Sequence, residues 1–241
     1  MENSIALGVN AQYIQQTEEY NKIDALLAFI LYIFVTLGCL LLGKLFVWNN
    51  LILTETYIFY TTGAFSLSCI GIAFLFCLFQ KQKLATMGFN MDQAKKSLVM
   101  GMFLFAVTVV LGGIWAVLTG STIQTDIKVI AMRIIYFQIF IGFYEELVFR
   151  GYIGTRLYGY FSNKQISIVI TGIMFSLMHV PFHMTVAQMG FIEYILMHWI
   201  NLVFLVIFHC GFQWLYSKYN SIIAPTILHF IIDFIQWFII A

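Results

Sequence analysis

The chain has 241 residues, of which 61% are hydrophobic and only 10% are charged, and its mean hydropathy is +0.91. A water-soluble domain of this size could not place so much apolar side chain on its surface, so the composition excludes a soluble protein and predicts an integral membrane protein. The formal net charge is +1 and no basic cluster is present, so no nucleic-acid partner is expected. The partner that the composition predicts is the lipid bilayer.

The sequence predicts an all-α, polytopic membrane helix bundle. A spanning helix needs about 20 apolar residues, and five stretches free of Asp, Glu, Lys and Arg are long enough. With the apolar runs beside them, seven transmembrane helices are expected, and an eighth if Gly211 or the 182–194 stretch divides the sixth. The first apolar run follows a polar segment and lacks a small-residue cleavage pattern, so it is interpreted as a retained helix. The predicted helices cover residues 25–48, 57–80, 98–119, 128–158, 165–180, 189–216 and 221–241.

The basic residues are unevenly distributed between the two sides of this bundle. Six of the twelve fall in two loops on the same side, which hold Lys81, Lys83, Lys95 and Lys96, and then Arg156 and Lys164; Lys22 and Lys218 lie on that side as well. The positive-inside rule places both loops, and with them the N-terminus, in the cytoplasm. Lys128 and Arg133, at the opposite end of the fourth helix, argue against this orientation. The predicted location is the cell membrane, in a multi-pass arrangement.

The stretch "GFYEELVFRGYI", residues 142–153, puts three charges into the predicted fourth helix. Glu146 and Arg150 are four residues apart, so they share a helical face and can pair. Glu145 points about 100 degrees away and has no basic partner on its own helix. A charge inside a spanning helix usually has a function. The alternative is that these charges lie in the headgroup region at a helix end, with Arg150 extended toward water.

Two later helices carry polar residues at the same spacing. Phe175 and His179 are four apart in "FSLMH", and His229 and Asp233 are four apart in "HFIID". If the fourth helix continues to the 159–163 turn, Glu145 and His179 both lie about 20 Å from the cytoplasmic helix ends, and His229 about 12 Å. The polar groups of three helices could then converge. They could not if the fourth helix ended at residue 151.

These motifs resemble those of a known family. "EELVFR", "FSLMH" and "HFIID" match the EExxxR, FxxxH and HxxxN/D motifs of the CAAX protease and bacteriocin-processing (CPBP) family, the Abi-type intramembrane glutamic endopeptidases related to the Ras-converting enzyme. The motifs occur in the family's order on three helices. The resemblance covers about residues 85–241, so two parts are expected: an N-terminal cytoplasmic segment with the first two helices over 1–84, and a protease core over 85–241.

The resemblance implies a function for each motif residue. Glu145 and His179 would hold and activate a catalytic water, and His229 and Asp233 would line the oxyanion side. The supporting residues would be Glu146, Arg150 and Phe175. No cofactor and no metal are implied. Asn is common in the family at the position of Asp233, and an ionised Asp cannot donate a hydrogen bond, so Asp233 could instead orient His229.

The residue types leave several alternatives open. A Glu, two His and an Asp could also form a metal site, whereas no GxSxG or HExxH motif supports a serine hydrolase or a zincin. The remaining histidines, His183, His198 and His209, have no acidic partner at helical spacing and are interpreted as interface or packing residues.

The expected function is an endopeptidase that cleaves a peptide or membrane-protein substrate from the cytoplasmic side, maturing a secreted signalling peptide or a bacteriocin-like precursor. The alternative is a catalytically silent scaffold or bacteriocin-immunity protein. A transporter has less support because no matching pair of interrupted helices is visible.

Overall fold

The computed structural model describes residues 8–48 and 55–240, nearly all of them in helices. The helices are, in chain order, α1 (Ala11–Glu18), α2 (Lys22–Trp48), α3 (Glu55–Phe79), α4 (Ala94–Thr119), α5 (Ile127–Tyr160), α6 (Lys164–Val186), α7 (Phe191–Tyr219) and α8 (Ile223–Phe238). A 3₁₀ helix, Leu84–Met87, lies between α3 and α4, and two short strands, β1 (Thr122–Ile123) and β2 (Ile239–Ile240), pair antiparallel. Residues 1–7 of the predicted N-terminal segment and residue 241 of the last predicted helix lie outside the described residues.

The all-helical membrane bundle is confirmed, but the predicted number of spanning helices is not. In the described ranges six helices, α2 to α7, are long and apolar enough to cross a bilayer, with 23 to 34 residues each. The seventh predicted helix is realised as α8, which has only 16 residues. Gly211 lies inside a continuous α7, so it does not divide that helix. The kink of α7 lies at His198, where the backbone leaves helical geometry (φ −111, ψ 15).

Helix α8 is short because it begins inside the bundle. The Ile222 amide donates to the Gly88 carbonyl at 3.1 Å, and this places the start of α8 against the segment between α3 and α4. That segment in turn touches Gly151 of α5, where an added Cβ would lie 2.8 Å from the Met87 carbonyl oxygen. Gly151 lies nine residues before the end of α5. At its other end α8 continues into β2, which pairs with β1 just after α4, so 16 residues suffice for α8 to reach that end of the bundle.

Helix α5 forms the centre of the bundle. Every residue from 144 to 158 is buried, and the largest apolar side chains among them, such as Leu147 and Phe149, are fully covered. Over Tyr136–Phe143 and Glu146–Gly154 the hydrogen bonds follow the wide i→i+5 pattern of a π-helix. Such widened turns are rare and occur mostly at functional sites.

Helix α1 closes one end of the bundle. Asn10 caps it by accepting from the amides of Gln12 and Tyr13, and the Asn10 amide donates to the Ser217 carbonyl of α7 at 3.0 Å. Tyr13 is buried, with its ring 5.2 Å from Tyr158 of α5. The predicted N-terminal segment is therefore, from Gly8 onward, part of the packed structure.

Arg156 is not the loop charge that the sequence suggested. It is completely buried in α5, where it donates to the Gly151 carbonyl at 2.8 Å and to Oε1 of Gln82 at 2.6 Å. Gln82 in turn donates to the buried carboxylate of Asp24 in α2 at 2.6 Å. The prediction that Arg156 marks a cytoplasmic loop is wrong, because Arg156 lies inside α5 and is buried. Its guanidinium connects α5 to the segment after α3 and, through Gln82, to α2.

Candidate active site

Three helices bring a carboxylate and two imidazoles together. Glu145 of α5 has its Oε2 3.8 Å from Nε2 of His179 on α6 and 3.7 Å from Nε2 of His229 on α8. Helix α5 continues to Tyr160, which is the condition that the sequence set for this convergence. Glu145 lies 15 residues before the end of α5 and His179 lies 15 residues after the start of α6, so the two side chains reach the same depth.

The orientation of His179 is fixed by its own helix. Its Nδ1 lies 2.8 Å from the Phe175 carbonyl oxygen, which can only accept, so Nδ1 carries the proton. In the neutral imidazole the lone pair is then on Nε2, which faces Glu145. The Phe175 ring contacts the His179 ring edge to face at 4.9 Å and limits its rotation.

His229 is held by Glu146. Its Nδ1 lies 2.7 Å from Oε1 of Glu146, and the same oxygen lies 3.0 Å from Nη1 of Arg150. The Glu146 and Arg150 side chains are both 0% exposed, and the guanidinium lies over the Phe175 ring at 4.3 Å. The alternative that these charges lie among lipid headgroups is therefore wrong. The pair is an internal support for the second histidine.

The sequence did not reveal the contact between Glu146 and His229. It paired Glu146 with Arg150 alone, although a carboxylate has about four acceptor sites and one arginine does not occupy them all. The unused acceptor sites of Glu146 were the only sign in the sequence that it has a second partner. The partner could not be named because it comes from a helix 83 residues further along the chain.

Asp233 lies on the side of the His229 ring opposite to Glu146. Its Oδ2 is 3.5 Å from Nε2 of His229, the nitrogen that also faces Glu145, and its side chain is 29% exposed. Glu146, not Asp233, holds Nδ1 and so performs the orienting task that the sequence left open for Asp233.

A cavity of about 770 Å³ opens beside these residues, lined by Glu145, His179, His229 and Asp233 and otherwise mainly by apolar side chains. Its size falls in the range of small-molecule pockets. Helices α2 and α3, which the family resemblance did not cover, also contribute to its wall. Among the residues that the structure describes, no three or more His, Cys, Asp or Glu side chains are grouped as metal ligands.

The other three histidines have aromatic neighbours. His183 and His198 both stack with Tyr194, at ring-centre distances of 6.4 and 4.4 Å. His209 is fully buried with its ring 5.5 Å from Phe175. His209 is therefore the packing residue that the sequence predicted, whereas His183 and His198 also line the cavity.

A multi-pass helical bundle with a buried carboxylate, two oriented imidazoles and an internal cavity has the features of an intramembrane hydrolase. Residues 127–235 match the family model described as Rce1-like, type II CAAX prenyl endopeptidase Rce1-like. The match covers a little under half of the chain and contains all seven predicted site residues. It agrees with the resemblance that the three motifs indicated, which is to the CAAX-type intramembrane proteases. No curated protein and no solved structure matches the chain.

Proposed function

We propose that this chain is an intramembrane glutamic endopeptidase in which Glu145 and His179 activate a water molecule to attack a peptide bond. The observation that carries the proposal is the spacing of Glu145 Oε2 from the two Nε2 atoms, 3.8 Å to His179 and 3.7 Å to His229. These distances are too long for direct hydrogen bonds and suit a water that bridges the groups.

The reaction follows from the positions of the protons. Glu145 removes a proton from the water while the lone pair on Nε2 of His179 accepts its second hydrogen as a hydrogen bond. The water oxygen then bonds to the peptide carbonyl carbon, and the carbonyl oxygen becomes an oxyanion. Glu145 returns its proton to the amide nitrogen as the carbon–nitrogen bond breaks, releasing a carboxylic acid and an amine.

His229 supplies the hydrogen bond to the oxyanion in this scheme. Because Nδ1 is engaged with Glu146, a protonated His229 has its second N–H at Nε2, beside Glu145 and the cavity. The negative charge of Asp233 at 3.5 Å favours that protonated ring. A fixed donor aimed at the developing charge stabilises the transition state. Glu146, Arg150 and Phe175 keep the two histidines in place, and Phe175 also forms part of the cavity wall.

The substrate in this proposal is a peptide or membrane-protein segment. The mainly apolar wall of the cavity suits apolar side chains on either side of the cleaved bond. Maturation of a secreted signalling peptide or a bacteriocin-like precursor is the role we favour.

The test compares the wild-type chain with Glu145→Gln, both purified into nanodiscs and incubated with a mixed-sequence peptide library that is read by mass spectrometry. Wild type should produce new termini, and Glu145→Gln should lower the rate by at least about 100-fold because the base is lost. Thermal unfolding of both proteins controls for folding. Equal cleavage by the variant would refute the role of Glu145. Peptide binding without cleavage by wild type would favour the scaffold or immunity alternative.

A further inference from the structure

The cavity occupies only one half of the bundle. We call the end at which α2, α4 and α6 begin the lysine end, and the end at which they finish the distal end. Six helices line the cavity. On five of them the lining begins near the middle and extends toward the distal end, and on α7 it runs from Tyr194 to Phe212. One lining residue from each is Leu42, Ser66, Tyr136, Phe182, Asn201 and Gln236.

The lysine end is closed by packed side chains. Helix α5 is buried without interruption from 144 to 158, so between Glu145 and the lysine end only its last two residues are not buried. Tyr13 of α1 packs against Tyr158 and Tyr216, and Arg156 fills the space beside Gln82. In the described ranges, no residue of 8–35, 69–96 or 213–228 lines the cavity.

The basic residues are concentrated at the lysine end. Arg150 and Arg156 are buried, and the remaining ten Lys and Arg residues divide between the two ends. Seven lie at the lysine end: Lys22, Lys81, Lys83, Lys95, Lys96, Lys164 and Lys218. Three lie toward the distal end: Lys44, Lys128 and Arg133, and Arg133 is paired with Glu55 at 2.6 Å. The positive-inside rule therefore places the lysine end in the cytoplasm even though Arg156 no longer counts.

From these two observations we infer that the site receives its substrate from the non-cytoplasmic side of the membrane. The substrate class is then a membrane-anchored polypeptide whose cleaved segment has already been translocated. This inference rests on the proposed function and replaces the expectation of cleavage from the cytoplasm, which cannot hold together with a cytoplasmic N-terminus in this structure. The closed lysine end keeps cytoplasmic peptides away from Glu145.

Cysteine labelling in intact bacterial cells expressing the full chain tests the sidedness without requiring catalysis. The background variant has Cys39, Cys69, Cys77 and Cys210 replaced by Ser or Ala, and single cysteines are then introduced for reaction with a membrane-impermeant maleimide. Lys128→Cys at the distal end and Asn201→Cys in the cavity should be labelled in intact cells, whereas Lys83→Cys should be labelled only after lysis. Ile200→Cys is the matched control, since Ile200 adjoins Asn201 and is 52% exposed but does not line the cavity, so it should face lipid and stay unlabelled.

Any other labelling result overturns the inference. Labelling of Lys83→Cys in intact cells, or of Lys128→Cys only after lysis, would reverse the orientation. Labelling of Lys128→Cys but not of Asn201→Cys would mean that the cavity does not open to that side.

An activity measurement separates this inference from the proposed function. The charged, membrane-impermeant peptide library is added to right-side-out and to inside-out vesicles, with Glu145→Gln vesicles as the blank. We expect at least about tenfold faster cleavage by right-side-out vesicles, and equal rates once detergent opens both. Cleavage by inside-out vesicles alone would overturn the sidedness and leave the peptidase intact. If no cleavage occurred even in detergent, the proposed function would fail, and the labelling would still decide the sidedness.

Discussion

Two adjacent glutamates of α5 have different surroundings. Glu145 faces the cavity and two imidazoles that come from other helices, whereas Glu146 is fully buried against Arg150 and His229. The sequence could separate them because only Glu146 has a basic residue four positions away. It could not identify His229 as the second partner of Glu146, because that contact depends on how α8 packs against α5.

Glu146→Gln should therefore damage the fold as well as the activity. Breaking a buried ion pair by removing one partner costs about 3–5 kcal/mol, and here it leaves Arg150 without its counter-ion. The free energy of unfolding of Glu145→Gln should lie within about 0.5 kcal/mol of the wild-type value, because Glu145 lines a cavity and has no close ion-pair partner on its own helix. Thermal unfolding in detergent and abundance in membranes measure both. Equal losses of stability in the two variants would contradict the division of tasks.

The two site histidines should each be indispensable. His179→Ala removes the group that holds the water, and His229→Ala removes the oxyanion donor, so each should lower turnover by about 100-fold or more. His183→Ala, one helical turn beyond His179, is the matched control and should retain most of the activity. Peptide turnover in nanodiscs provides the comparison. A loss in His183→Ala as large as that in His179→Ala would argue that the histidines act only through packing.

At the scale of the elements, apolar runs predicted the helices well but not their depth. The last helix was expected to span, yet it starts inside the bundle, because the segment around Gly88 packs between α5 and α8. Gly88 adopts a left-handed conformation (φ +89) that favours glycine, and an added Cβ would lie 2.7 Å from the Tyr216 ring. The π-helical turns of α5 were also missed, since they depend on packing and not on the apolar pattern.

Gly151 tests this packing directly. In Gly151→Ala the new methyl group would lie 2.8 Å from the Met87 carbonyl oxygen, so the segment must move, at a cost of about 1–3 kcal/mol of stability. Gly113→Ala on α4 is the control, because nothing lies within 4 Å of its added Cβ and alanine is the better helix former by about 1 kcal/mol. Thermal unfolding should fall for the first and stay equal or rise for the second. A stable Gly151→Ala protein would contradict the close contact between α5 and this segment.

At the scale of the whole molecule, composition was enough to predict a helical, multi-pass membrane protein, and three spaced motifs were enough to indicate the family whose model matches residues 127–235. The position of Arg156 was predicted wrongly because a count of loop charges cannot distinguish an exposed arginine from one that is buried with Gln82. The packing of α1 against the bundle was not predicted, because this helix has only eight residues and most of them are polar. The location of the cavity in one half of the bundle follows only from the packing of six helices.

The central claim is that a carboxylate and an imidazole activate water without a metal ion. The most direct measurement is the peptide turnover of the purified wild-type protein in nanodiscs before and after prolonged treatment with a strong chelator, followed by addition of zinc. The account predicts that turnover remains largely unchanged through both steps, while Glu145→Gln stays inactive throughout. Turnover that disappears on chelation and returns with zinc would contradict it and would make Glu145, His179 and His229 candidate metal ligands.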